Sequence, residues 1–286
     1  MHELILQNKF FSAYRIADGV THITGMAREC CYLIEGTDRA LLVDGLTGVG
    51  SLRAFVRELT DLPVLIAVTH GHMDHTGIAW ESNSIYIHPD DMPLLYPAGN
   101  TGKQSRMDYV NLFIRFGLPC RTKPMETDFS DEHPVKTLPI LDGDVFDLGG
   151  VQLQVISVPG HTRGTVVFLD RTHRLLFGGD ACNANTLLNL ACSTSITEYK
   201  ASLQHLSSFA DDFNVLWNGH DHAAISRQSI FDGIALCDRI LSRTDAAIEK
   251  DDPFGGRSLM ASKEGEYLCN IVYKEETIYV KARPTL

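Results

Sequence analysis

His70, His72, Asp74 and His75 fall within six consecutive positions, in the segment Thr69-His70-Gly71-His72-Met73-Asp74-His75-Thr76-Gly77, directly after the apolar run PVLIAVTH. Core packing has little use for three imidazoles and a carboxylate at one strand end. Imidazole nitrogen and carboxylate oxygen are the donors that Zn²⁺, Fe and Mn²⁺ accept. Alternation of His70 with His72 lets an extended turn present two rings to one ion, which leaves Asp74 and His75 to face a second ion beside it. Such a site needs donors from elsewhere in the chain. Three isolated ones follow later apolar runs and turns: His161 in PGHTRG, Asp180 in FGGDA and His220 in NGHD. His222 competes for the last place, and His220 is the preferred reading. The other histidines, His2, His22, His88, His133, His173 and His205, stand apart and read as ordinary surface or core residues.

Periodicity predicts the elements that must hold these donors. Between Tyr14 and Asp44, apolar patches alternate with turn residues (GVTHITG, CCYLIEG, ALLVDG), as strands joined by hairpins do. Helical spacing of Leu52, Phe55, Val56 and Leu59 follows, feeding a buried strand that ends at His70. SIYIHP reads as a short strand. Residues from about 90 to 129 carry Pro, Gly and the amphipathic piece RMDYVNLFIRFG, and read as a helical insertion over the site. Met92, Leu94, Leu95, Tyr96, Met107, Tyr109, Phe113 and Phe116 are its candidates for an apolar pocket wall, with plain core packing as the equal alternative for each. Further strands are expected in VKTLPILDGDVFDLGGVQLQVISVPGH and TVVFLDRTHRLLFGGDA, with Asp-Gly and Gly-Gly turns. A helix from about Ile196 to Phe209, the strand NVLWNGH, a long helix from about Ser226 to Glu249 and a hairpin of EYLCNIVY with TIYVKA complete the chain. Two β-rich halves with helices between them predict an α/β fold in which two sheets pack face to face under outer helices, a four-layer αββα sandwich.

A chain of 286 residues fits one large layered domain, here 1–286. Its 44% hydrophobic and 21% charged residues are ordinary for a globular protein. A formal net charge of -11 opposes binding to a phosphate backbone, so nucleic acid is not the expected partner. No apolar run reaches the roughly 18 residues of a membrane helix, and the start has no basic stretch leading into a long apolar one, which points to the cytoplasm. Seven cysteines, an odd number without a CxxC pair, read as reduced and mostly buried thiols. The terminal strands leave a homodimer open beside an intramolecular hairpin.

The pattern HxHxDH followed by isolated His, Asp and His resembles the metallo-β-lactamase superfamily over roughly residues 14 to 222. That resemblance implies His70, His72 and His161 on a first metal, Asp74, His75 and His220 on a second, and Asp180 bridging both. It also matches Asp44, in LLVDG, to the acidic residue that supports the site from behind. Two divalent ions are expected, Zn²⁺ first, with Fe or Mn²⁺ as alternatives. A carboxylate can bridge ions roughly 3.5–4 Å apart, and the water between them becomes a hydroxide near neutral pH. Asp74 is the expected catalytic residue, orienting that nucleophile or carrying its proton.

Departures from particular branches narrow the chemistry. True class B β-lactamases usually have Cys in place of Asp180 and are exported. Flavodiiron proteins have Glu where His72 stands. The nucleases of the superfamily add a large domain or a basic arm that is not evident here. Lactone hydrolases typically place a Tyr three residues after the bridging Asp, where this chain has Asn183, and the basic residues of glyoxalase II do not map clearly onto Lys250, Arg257 or Lys263. The resemblance is thus to the glyoxalase II and lactonase side of the family. It implies a hydrolase that uses a metal-bridging hydroxide on a small ester, lactone or thioester. The alternatives are a mono-iron dioxygenase of the persulfide dioxygenase type, needing only His70, His161 and Asp180, a phosphodiesterase, or a metal-containing ligand sensor without turnover.

Overall fold

A computed structural model describes residues 2–96, 101–117, 121–220, 224–251, 256–262 and 267–279. Eight strands come first: β1 (Glu3–Gln7), β2 (Ser12–Ala17), β3 (Val20–Thr24), β4 (Cys30–Glu35), β5 (Ala40–Val43), β6 (Val64–Ala67), β7 (Ser84–Ile87) and β8 (Lys136–Pro139). They form one sheet in strict sequence order. Pairing is antiparallel up to β5 and parallel from β5 to β8. Parallel neighbours cannot be joined by a tight turn, so each of these joints is a crossover. The first crossover carries α1 (Leu52–Arg57) and the second α2 (Met73–Thr76). The third is the stretch anticipated as an insertion, with 3-10 turns at Pro89–Leu95 and Glu126–Asp128 flanking α3 (Lys103–Arg115). The His70–His75 segment is therefore the loop at the C-terminal end of a parallel strand, where open α/β sheets gather their ligands.

The second half supplies β9 (Val145–Asp147), β10 (Gln152–Ser157), β11 (Val166–Asp170), β12 (Leu175–Gly179), β13 (Asn185–Leu187), β14 (Val215–Asn218) and β15 (Ile225–Ser226). All but β13 build a six-stranded sheet in the order β15-β14-β12-β11-β10-β9. α4 (Ile196–Ser207) and α5 (Gln228–Leu241) flank β14 and β15 in sequence. A capping box starts α4, with the Ser195 hydroxyl oxygen accepting from Glu198 N and the Glu198 carboxylate accepting from Ser195 N.

Strand alternation shows the layers directly. Along β4, Cys30, Tyr32 and Ile34 join one apolar cluster while Cys31 and Leu33 join another. The first cluster lies between the sheets, since it also holds Val166, Phe168, Leu175 and Phe177 of β11 and β12. On its outer face the first sheet packs against Leu52, Phe55 and Val56 of α1 and Val110 of α3. Val167, Leu169 and Leu176 point the other way, onto Tyr199, Leu203, Leu236 and Ile240 of the helices α4 and α5. Helix, sheet, sheet and helix therefore stack in the expected αββα order. Each fully buried Leu, Ile or Phe in these layers contributes about 1.5–3 kcal/mol.

Two expectations near the C-terminus do not hold. The helix expected to run to Glu249 ends at Leu241, because Arg243 turns into the left-handed region (φ 59°) and the apolar spacing stops. Residues Ile248–Asp251 instead form β16, which pairs with β17 (Arg257–Met260), and β18 (Asn270–Tyr273) lies between β17 and β13. This third sheet replaces the hairpin of EYLCNIVY with TIYVKA. After β18 the chain makes a 3-10 turn at Glu275–Thr277, and residues 280–282 of TIYVKA lie outside the described residues. Local alternation could not reveal the pairing, since Asn185 of β13 meets Asn270 across a long stretch of chain.

Candidate metal centre

The donors sit at one edge of the stacked sheets, each just past a strand end: His70 to His75 after β6, His161 after β10, Asp180 after β12 and His220 after β14. Backbone bonds join these loops: Val166 N donates to Thr69 O (2.9 Å), Gly219 N to Gly179 O (2.8 Å) and Cys30 N to Gly219 O (2.8 Å). Gly179 makes the approach possible. Its φ is +47°, and a Cβ there would stand 2.2 Å from Thr69 Oγ1.

Three groups of donors gather, each with its ligand atoms within 4.8 Å of one another: His70, His72 and His161; His70, His75 and Asp180; Asp74, His75 and His220. In the first, His72 Nδ1 lies 3.1 Å from His70 Nε2 and 2.9 Å from His161 Nε2. Donors about 2.0–2.1 Å from one tetrahedral ion stand about 3.3 Å apart, so the spacing suits a shared cation. Outer partners aim the rings. His161 Nδ1 lies 2.9 Å from Leu187 O, which fixes the proton of a neutral ring on Nδ1 and turns the Nε2 lone pair inward. Thr69 Oγ1 gives its proton to Asp44 (2.9 Å) and faces His70 Nδ1 at 3.1 Å, with the same effect on His70.

Asp74 and His220 close the far side, with His220 Nε2 at 3.5 Å from Asp74 Oδ2. Asp180 stands between the groups: Oδ2 is 3.3 Å from His220 Nε2 and 3.5 Å from His161 Nε2, and Oδ1 is 3.7 Å from His75 Nε2. Among the described residues, both Asp180 Oδ1 and His75 Nε2 are buried with no hydrogen-bond partner. Leaving such atoms dry and unpaired costs about 1–3 kcal/mol each, a cost that a cation between them would remove. The residues therefore fit a metal. Behind them Asp44 accepts from Thr69 N (2.7 Å) and lies 2.9 Å from His75 Nδ1. It holds this position with φ 66°, a backbone state that Asp tolerates better than most residues.

Electrostatics divides the site. Burial, reinforced by His161, pulls His72 down to about 3, and burial with His75 nearby takes His70 well below its ordinary value. Burial also opposes charge on His75, but Asp44, Asp74 and Asp180 outweigh it and push the ring up to about 10. His220 behaves alike, with burial overcome by Asp180 and then Asp74, and reaches about 9. The reciprocal pull of the histidines, working against burial, holds Asp180 well below and Asp74 below the usual carboxylate range.

Three further contacts had no local signal in the sequence. Tyr109 of α3, expected to serve as apolar lining, donates its hydroxyl to Asp74 Oδ2 (2.6 Å), and burial followed by Asp74 raises its pKa well above the ordinary phenol. Asp91 accepts from Gly71 N (2.8 Å), Gly164 N (2.8 Å) and the Thr162 hydroxyl (2.6 Å), joining the two loops that carry the first histidine trio. Cys192 Sγ lies 3.3 Å from His72 Nε2. Asn183 is buried, donates its backbone N–H to Thr186 Oγ1 (3.0 Å), and its side-chain oxygen has no hydrogen-bond partner among the described residues. His222 lies outside the described residues. His22 is a core residue stacked on Tyr32 with ring centroids 5.3 Å apart, and His173 Nδ1 lies 2.6 Å from Asp170 Oδ2.

The chain is 27% identical over 194 residues to acyl-coenzyme A thioesterase MBLAC2 of Gallus gallus, covering 63% of this chain and 67% of that protein. Among solved structures it resembles metallo-beta-lactamase family protein TTHA1429 from Thermus thermophilus, with a TM-score of 0.52 at 21% identity over 80% of this chain and 82% of that one. It also resembles the DIM-1 metallo-beta-lactamase, with a TM-score of 0.57 at 16% identity over 83% and 99%. These two likenesses are of fold. The sequence profile described as the Metallo-beta-lactamase superfamily matches residues 30–220, two thirds of the chain, and the protein belongs to that superfamily.

Proposed function

We propose that this protein is a dinuclear metal-dependent hydrolase of a small acyl compound, a thioester first and an ester or lactone next. The observation that carries the reading is the convergence of seven donors, two of which, Asp180 through Oδ1 and His75 through Nε2, are buried with no hydrogen-bond partner among the described residues. His70, His72 and His161 would hold one ion and Asp74, His75 and His220 the other, with Asp180 between them. Zn²⁺ suits the His-rich first trio best. Bound divalent cations supply Lewis-acid polarisation of the acyl carbonyl and a water acidified to near neutrality. The chain's own share is to fix the donors through Asp44, Thr69 and Leu187 O, and to keep an ionised carboxylate at the reacting point. Asp74, with Oδ2 held by Tyr109, has Oδ1 left to orient a water or take its proton. The relative that is an acyl-coenzyme A thioesterase supports placing thioesters ahead of lactones, as does Asn183 in place of a tyrosine. We read residues 1–286 as one domain acting on a small molecule in the cytoplasm. Among the described residues, no helix is long and apolar enough to cross a membrane.

Metal content of protein purified without added metal, measured with a panel of acyl-CoA thioesters, esters and lactones, tests this. Two ions per chain and thioester hydrolysis are expected, and His72→Ala should lower kcat/KM by more than about 100-fold, beyond the usual effect of losing an outer partner. Unchanged turnover in a folded His72→Ala protein removes the reading. One iron per chain with oxygen consumption would instead make it a dioxygenase.

A further inference from the structure

We propose that Tyr109 is a positioning residue that fixes Asp74 for the second metal, so that helix α3 controls occupancy of that half of the site. The assignment rests on the dinuclear reading above. It starts from Arg106, the largest fully buried side chain among the described residues. The guanidinium donates to Thr47 O (3.3 Å), Gly48 O (3.3 Å) and Ser130 O (2.5 Å), and Arg106 Nε donates to Thr101 O (3.0 Å). Gly48 leaves just enough room, since a Cβ there would stand 2.6 Å from Arg106 Nη1. These bonds pin the first turn of α3 to the loop after β5 and to the chain after α3.

Three residues on, one turn of helix away and on the same side, Tyr109 is delivered to the site. Its hydroxyl donates to Asp74 Oδ2 at 2.6 Å, the same oxygen that faces His220 Nε2 at 3.5 Å and His75 Nε2 at 3.8 Å. A carboxylate oxygen carries two lone pairs, so one can take the phenol proton while the other is offered to a cation. Phe113 packs on the Tyr109 ring with centroids 4.9 Å apart and holds it in place. Asp74 lies in a helix of one turn, α2, which has no side-chain N-cap, and Tyr109 supplies a restraint on its side chain from outside that turn. The first trio has comparable restraints in Leu187 O and Thr69, which do not involve α3. Loss of the phenol hydroxyl should therefore weaken the second ion and spare the first.

Zn²⁺ titration of chelator-stripped protein, read by calorimetry and by mass spectrometry under native conditions, tests this with wild type, Tyr109→Phe and Phe113→Ala. Wild type should take up two ions. Tyr109→Phe should keep the first affinity and lose 10- to 100-fold, about the usual effect of removing an outer-shell partner, on the second. Equal second-site affinity in Tyr109→Phe and wild type overturns the assignment. Phe113→Ala, which keeps the hydroxyl and only loosens the ring that carries it, should lose less than Tyr109→Phe; a loss in Phe113→Ala with none in Tyr109→Phe overturns the assignment by tracing the effect to packing. Should wild type bind a single ion, the two-ion reading fails and this assignment with it, an outcome distinct from two ions indifferent to Tyr109.

Discussion

Four histidines of the site are displaced in opposite directions: burial dominates at His70 and His72 and lowers them, whereas at His75 and His220 the neighbouring carboxylates outweigh burial and raise them. This has a consequence for the metal-free protein. In the unfolded chain a histidine titrates near about 6.5. His75 and His220, raised to about 10 and about 9, keep protons that the unfolded chain releases, so their contribution is complete below about 6.5 and is lost as pH rises toward those values. His70 and His72 are lowered and refuse protons that the unfolded chain accepts, so stability also falls as pH drops below about 6.5. Asp74 and Asp180, held below the usual range, add to the acid-side loss. Chelated protein should therefore show its highest Tm near pH 6.5, with lower values at pH 4.5 and 8.5. A Tm that keeps rising from pH 6.5 to 8.5 would contradict the charge assignment of His75 and His220.

At the scale of elements, the site depends on loops at neighbouring strand ends being tied to one another. Asp91, from the 3-10 turn after β7, does this for the His70 loop and the His161 loop with three hydrogen bonds. Burial raises its pKa, and the Thr162, Gly71 and Gly164 donors offset part of that rise. Asp91→Ala leaves those donors in a buried place without an acceptor. At about 1.5–3 kcal/mol for a bond to a charged group, allowing for relaxation, a loss of about 3 kcal/mol is expected. With about 2–4 °C per kcal/mol, Tm should fall by about 6–12 °C, and Asp91→Asn, which keeps an acceptor oxygen, should fall less. Thermal unfolding of the two variants decides it, and a Tm change of a degree or two in Asp91→Ala would show that the loops hold without this link.

The whole molecule brings two sheets close enough for donors from both to meet, and Gly179 marks a close approach beside the site. Its positive φ and the 2.2 Å that would separate a Cβ from Thr69 Oγ1 leave no room for alanine unless the second sheet moves away from the His70 loop. Gly179→Ala should cost about 4 kcal/mol or more, in the range reserved for overpacking combined with a disfavoured left-handed backbone state. It should also lower metal uptake, and chemical denaturation with metal analysis would show both. A variant with unaltered stability would mean that the sheets tolerate separation.

Much of this architecture is legible in the sequence because it depends on local spacing. Period-two alternation in CCYLIE and the helical spacing of Leu52, Phe55 and Val56 set the layers, and HxHxDH carries its chemistry in six adjacent positions. His161, Asp180 and His220 could be named because each is an isolated donor after an apolar run. The sequence by itself thus determined which residues converge and between which layers. Only the tertiary structure decided how they are charged and held: the resemblance had marked Asp44 behind the site, but Tyr109 and Asp91 act across the fold on donors far away in the chain. The third sheet was hidden for the same reason, since β13 and β18 are neighbours in space although far apart in the chain. A hydrogen bond or a carboxylate–imidazole field depends on distance in space, which residue spacing encodes only within a single element.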